Sequence, residues 1–137
     1  MDRLAKIALV LTLIGLLDAA YLTYDHYTNT PAACPENGII NCGNVLNSPY
    51  SILLGIPFAV WGLVFFIIEA ALILLIRNND LFVIYNGIGV AFVAYLIYLE
   101  YIIGNICIYC TLVHIITVLL FIISIMGYNS MGKGAKK

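Results

Sequence analysis

The chain reads as an all-α membrane protein, a bundle of four transmembrane helices with one outer-face loop that carries a cysteine pair. Three observations lead there. A chain of 137 residues that is 64% hydrophobic and 9% charged, with a mean hydropathy of +1.05, has too little polar surface for a water-soluble globule. Four stretches reach the roughly 20 apolar residues needed to cross about 30 Å of hydrocarbon. The six Lys and Arg residues, finally, fall only in alternate connections.

The first span covers residues 7–24. Arg3 and Lys6 precede it and Ala19-Ala20 lie near its end, a pattern that also suits a cleaved leader; an uncleaved first helix is the reading adopted. Residues 25–51 form the single long connection, a lid rich in turn formers (Pro31, Pro35, Gly38, Gly43, Pro49 and several asparagines) in which 44–50 can form a short helical turn. The second span runs over 52–76 and the third over 81–103, joined by Arg77-Asn78-Asn79-Asp80. The fourth, 106–126, follows the tight Gly104-Asn105 turn. Such short links imply that spans two and three, and spans three and four, pack as antiparallel neighbours. Residues 127–137 read as a solvated tail, and 1–137 as a single domain. In lipid each span must satisfy its own backbone hydrogen bonds, so the architecture is helical.

Arg3, Lys6, Arg77, Lys133, Lys136 and Lys137 all fall on one side of such a bundle, while the lid and the Gly104-Asn105 turn carry no Lys or Arg. The positive-inside rule then places the protein in the cell membrane with both termini cytoplasmic and the cysteines on the outer face. No basic stretch points to nucleic acid.

Cys107-Ile108-Tyr109-Cys110 is a C-x-x-C at the start of span four. Spacing i, i+3 sets both sulfurs on one helix face, and the partial positive charge of a helix N-terminus favours thiolate, the form that exchanges disulfides. A structural disulfide or half of a metal site would use the same motif. The other two cysteines, Cys34 and Cys42, lie in the lid, where Gly, Pro and Asn permit closure. A stapled loop is the plain alternative, since an outer-face disulfide persists in an oxidising compartment. A hydrophobic bundle has less need of staples than a small secreted domain, so two dithiols on one face suit sequential exchange instead. The loop pair would meet a soluble partner and the embedded pair a lipid-phase oxidant.

Taken together, Leu17-Asp18-Ala19-Ala20-Tyr21-Leu22, the loop cysteines Cys34 and Cys42, Ser48 six residues further on, and Cys107-x-x-Cys110 opening span four resemble the vitamin K epoxide reductase family over nearly the whole chain. The resemblance implies a four-helix bundle around a quinone near its outer face, and electron flow from a thioredoxin-like protein to the loop pair, then the C-x-x-C, then the quinone. Cys34 would exchange with the partner, Cys42 would pass electrons to Cys107, and Cys110 would face the quinone. The acceptor is a menaquinone, ubiquinone or vitamin K type of lipid quinone, and no metal is expected. Many bacterial members carry a fused thioredoxin-like domain; here a separate thioredoxin-like protein on the outer side is expected, in support of disulfide bond formation. Reduction of a quinone epoxide is left open.

The departures are specific. Where vertebrate members have a tyrosine four residues after the motif, this chain has His114, able to donate to a quinone carbonyl or move a proton; the bland reading is a histidine bonded to a neighbouring helix. The asparagine that helps hold the quinone in vertebrate members has no secure counterpart in Ser48-Pro49-Tyr50-Ser51-Ile52, which puts vitamin K epoxide in doubt as a substrate. His114, Ser48 and Asp18 are the expected quinone-side residues. Of the carboxylates inside spans, Asp18 and Glu100 lie in the outer half and can shuttle protons, whereas Glu69 is expected to make a structural pairing with tyrosines or backbone. Tyr21, Tyr24, Tyr95, Tyr98, Tyr101 and Tyr109, with Phe58, Trp61 and Phe65, read mainly as interface belt or packing; the sharper reading is an aromatic wall for a flat ring. Two rival functions stand beside the relay: a metal-binding or haem-carrying protein using the four cysteines with His114, and a structural or channel-like subunit with disulfide staples.

Overall fold

The computed structural model describes residues 3–28 and 38–135. Four of its helices are long and apolar enough to cross a membrane: α1 (Arg3–Thr28), α3 (Phe58–Ala71, continued as one π-helical stretch Leu72–Ile76), α4 (Asn79–Ile103) and α5 (Ile108–Ala135). A short α2 (Cys42–Leu46), a 3-10 turn (Pro49–Ser51) and a two-stranded hairpin, β1 (Ile52–Leu53) with β2 (Ile56–Pro57), fill the segment before α3.

Within α1 the hydroxyls of Thr12 and Thr23 donate back to Ala8 and Ala19 carbonyls at 2.7 and 2.8 Å, so neither polar group is stranded in an apolar surrounding. Small residues at helical spacing (Ala8, Thr12, Gly15, Ala19) make up most of its buried face, which also holds Asp18, Leu22 and Asp25, and permit close approach. A Cβ at Gly15 would lie 2.5 Å from the Phe66 ring. Helix α1 packs against α3 and α5, and α4 packs against α5. The core joining them includes Phe66, Ile116 and Leu120.

Span two begins at Phe58 rather than at 52, because Leu54 and Gly55 both take positive φ (56° and 79°) and fold 52–57 into a tight hairpin. Trp61 ties this hairpin to α3 by donating to the Leu53 carbonyl at 3.2 Å. At the other end the Arg77 N–H reaches back to Leu72 O at 2.9 Å, a π-type bond, and Asn78 caps α4 by accepting from Leu81 N at 3.1 Å. Spans two and three are the antiparallel neighbours expected, but beyond their shared turn the backbones of α3 and α4 stand apart and side chains make the contact, from Phe65–Tyr85 to Phe58–Phe92. Side chains bridge the gap. Phe65 stacks on Tyr85 at 4.7 Å, the Tyr85 hydroxyl donates to Phe65 O at 2.9 Å, and Asn86 donates to Glu69 Oε1 at 2.9 Å. Glu69 is thus paired with a side-chain amide, not with a tyrosine or the backbone. Helix α5 runs on to Ala135, so the expected tail is largely helical in backbone.

Candidate functional site

The site is built where the second half of the lid meets the α4–α5 turn. Gly104, in the left-handed region at φ 82°, ends α4 and donates to Glu100 O at 2.9 Å. The chain then runs extended for three residues and is strapped to the lid. Ile106 N donates to Ile39 O at 2.9 Å and Asn41 N to Ile106 O at 3.1 Å, a parallel bridge. Asn44 Nδ2 donates to Asn105 Oδ1 at 3.0 Å, and Asn105 Nδ2 donates to Ile39 O at 3.2 Å. Asn41 also caps α2, its side chain accepting from Asn44 N at 3.0 Å. The strap fixes Cys42, the first residue of α2, against the start of α5.

Cys42, Val45 and Cys107 consequently form one buried cluster, with Cys110, Leu46, Ile103 and Tyr109 packed on it. Cys42 is disulfide-bonded, whereas Cys107 and Cys110 are free thiols. Cys34 lies outside the described residues. Cys107 precedes α5 rather than sitting in its first turn, and its carbonyl accepts from Thr111 N at 2.9 Å. Its sulfur therefore faces the open N–H groups of the helix. A hydrogen bond from the Cys110 side chain holds the Cys107 thiol below its ordinary range, helped by the Cys110 and Tyr109 N–H groups and opposed by burial and by Glu100.

Cys110, while hydrogen-bonded to Cys107, also lines a cavity of about 480 Å³ whose main walls are α3 and α4. Phe58, Trp61 and Phe65 from α3 and Tyr85 and Phe92 from α4 form its walls, so the aromatic wall is real but is drawn from the inner faces of these two helices. Tyr98 and Tyr101, 59% and 83% exposed, belong to the outer surface. Polar groups are few. His114 lines the cavity one turn beyond Cys110, and Glu100 of α4 faces it, with His114 Nδ1 4.0 Å from Glu100 Oε1.

The other two expected quinone-side residues are not among those lining this cavity. The Ser48 hydroxyl accepts from Tyr50 N at 2.9 Å and caps the 3-10 turn, and Asp18 is buried on α1, near enough to Cys110 to act on it electrostatically. Asp25, assigned to the lid by its neighbours in sequence, is buried on α1. Asn86 and Tyr85 escaped the sequence reading because an asparagine or tyrosine in an apolar run carries no charge signal. Among the described residues no group of three or more His, Cys, Asp or Glu side chains is arranged to hold a metal ion.

A family model described as the vitamin K epoxide reductase family matches residues 6–125. The chain is also similar to the thiol-disulfide oxidoreductase LTO1 of Arabidopsis thaliana, 34% identical over 125 residues, which covers 80% of this chain and 33% of that protein. The chain thus spans about a third of the length of the relative it matches.

Proposed function

The chain belongs to the vitamin K epoxide reductase family, and from that premise we propose that it is a membrane thiol oxidoreductase that passes electrons from a thioredoxin-like protein through Cys34 and Cys42 to Cys107 and Cys110, and on to a lipid quinone. The observation that carries the reading is the position of the C-x-x-C between two environments: Cys107 shares a buried cluster with Cys42, while Cys110 lines an apolar, aromatic-walled cavity. A two-sided dithiol of this kind suits exchange on one side and reduction of a lipophilic acceptor on the other. The residues present fit a flat lipophilic ring: the cavity is within the roughly 300–1,000 Å³ of small-molecule sites, its walls are largely aromatic and aliphatic, and Glu100 and His114 line it with Cys110.

The steps on the protein's side follow from this placement. A reduced partner exchanges with the Cys34–Cys42 disulfide. Cys42 then attacks Cys107 of an oxidised Cys107–Cys110 pair, which regenerates the loop disulfide and leaves the C-x-x-C as a dithiol. A quinone bound in the cavity supplies a two-electron, two-proton acceptor. Cys110 delivers the electrons, Cys107 closes the disulfide, and His114 orients the acceptor by donating to its oxygen. Whether the output is disulfide formation in secreted proteins or also epoxide reduction depends on the partner and the acceptor supplied.

Trapping tests the loop-to-helix step. In Cys34→Ala/Cys110→Ala the two remaining thiols, Cys42 and Cys107, have no other cysteine to pair with, so the two-electron oxidant diamide should join them in a Cys42–Cys107 disulfide, found by peptide mapping after alkylation. Mapping that finds Cys107 unpaired under oxidising conditions would sink the order proposed.

A further inference from the structure

We propose that Glu100 carries the second proton of the C-x-x-C dithiol and hands it, through His114, to the bound quinone. This rests on the quinone reading above and adds to it a residue and a proton route. The need is one of inventory. Reduction of a quinone to hydroquinone takes two electrons and two protons, and closing the Cys107–Cys110 bond releases two electrons and whatever protons the pair holds. Cys110 lines the cavity and can deliver its own proton there; Cys107 is fully buried in the cluster with Cys42 and does not line it. The proton of Cys107 needs a carrier.

Glu100 is the side chain placed to be one. It lies near enough to both sulfurs to act on each electrostatically, it lines the cavity, and its Oε1 is 4.0 Å from His114 Nδ1. Asp18, the other carboxyl within reach of Cys110, is not among the residues lining the cavity. In the dithiol state the site holds Cys107 as thiolate, Cys110 as thiol and Glu100 as neutral acid, one negative charge in all. Formation of the Cys107–Cys110 S–S bond gives up one electron pair. That pair, the Cys110 proton and the Glu100 proton convert quinone to hydroquinone, and Glu100 is left as carboxylate. The single negative charge has moved from Cys107 to Glu100, so the buried site never gains a second one, which low dielectric would make costly. Electrons and two protons arriving from the loop dithiol restore Cys110 as thiol and Glu100 as acid.

Redox-induced infrared difference spectroscopy tests this directly. On converting the C-x-x-C from dithiol to disulfide, with diamide or with quinone, the wild type should lose a protonated-carboxyl band and gain a carboxylate band, and Glu100→Gln should lack both. In parallel, quenching of Trp61, the one tryptophan and a cavity residue, should report quinone binding unchanged in Glu100→Gln while quinone reduction falls about hundredfold, the usual scale for a lost proton-transfer group, with partial recovery in Glu100→Asp. The proposal is overturned by a wild-type spectrum without the band exchange, by a Gln variant that reduces quinone at the wild-type rate, or by a Gln variant that loses quinone binding in step with its rate. If wild type neither quenches nor reduces with quinone but shows the band exchange with diamide, the quinone reading fails while the proton coupling of Glu100 to the dithiol stands.

Discussion

Single residues divide the labour between the two faces of the C-x-x-C. Cys107 owes its low thiol pKa first to the hydrogen bond from Cys110 and then to helix N–H groups, so removing Cys110 should return it toward the ordinary cysteine value of about 8.5. The pH profile of Cys107 alkylation should therefore shift to higher pH in Cys110→Ala than in a Cys42→Ala protein that keeps the C-x-x-C; a shift to lower pH would contradict the assignment. His114 and Glu100 were both visible in the sequence, one as a departure from the family pattern and one as a carboxylate in a span. Their pairing was not, because it depends on the angle between α4 and α5. Asn86 illustrates the converse. Its amide holds Glu69 with no exposed surface on either residue, and Asn86→Leu should cost about 1–3 kcal/mol by leaving Glu69 without its donor, to be read from thermal unfolding in detergent.

At the level of elements, the spacing of α3 from α4 leaves room for the cavity, and the strap between lid and turn brings Cys42 to Cys107. Helix existence and order were legible from apolar length, and the alternation of basic residues made the pairing of connections legible too. Less accessible was the start of span two, since 52–57 is as apolar as the helix that follows and only the Leu54-Gly55 turn marks the boundary. The spacing of α3 and α4 was hidden for a different reason: a short turn constrains two helices at one end only. Close approach matters elsewhere. With a Cβ at Gly15 falling 2.5 Å from the buried Phe66 ring, Gly15→Val should force α1 away from α3 and cost about 1–3 kcal/mol, whereas Gly104→Asn, at a position open to solvent, should cost far less. Loss of the Ile106 N–H in Ile106→Pro removes a strap bond to Ile39 and should slow transfer from the loop to Cys107 about tenfold, one hydrogen bond's worth, while small dithiols that reach the C-x-x-C directly bypass the loss.

Across the whole molecule a buried Cys42–Cys107 cluster and an apolar cavity adjoin at the C-x-x-C; in the proposed relay the first is the exchange site and the second the reduction site. The four spans supply an apolar scaffold; among the described polar side chains within it, Glu100 and His114 line the cavity, Asn86 and Tyr85 bond α4 to α3, and Thr12 and Ser124 bond back to their own helix. We propose from the charge pattern that both termini are cytoplasmic and the cysteines face outward, so a membrane-impermeant maleimide should label the reduced loop cysteines in intact cells and leave a cysteine introduced at Ser130 unlabelled. The most direct test of the relay is single-turnover quinone reduction in detergent under anaerobic conditions, with protein first reduced by a small dithiol and freed of excess. The relay predicts hydroquinone formation in wild type and in Cys34→Ala, and none in Cys110→Ala. Equal hydroquinone from all three proteins would mean that the cysteines are staples and the cavity reduces nothing through them.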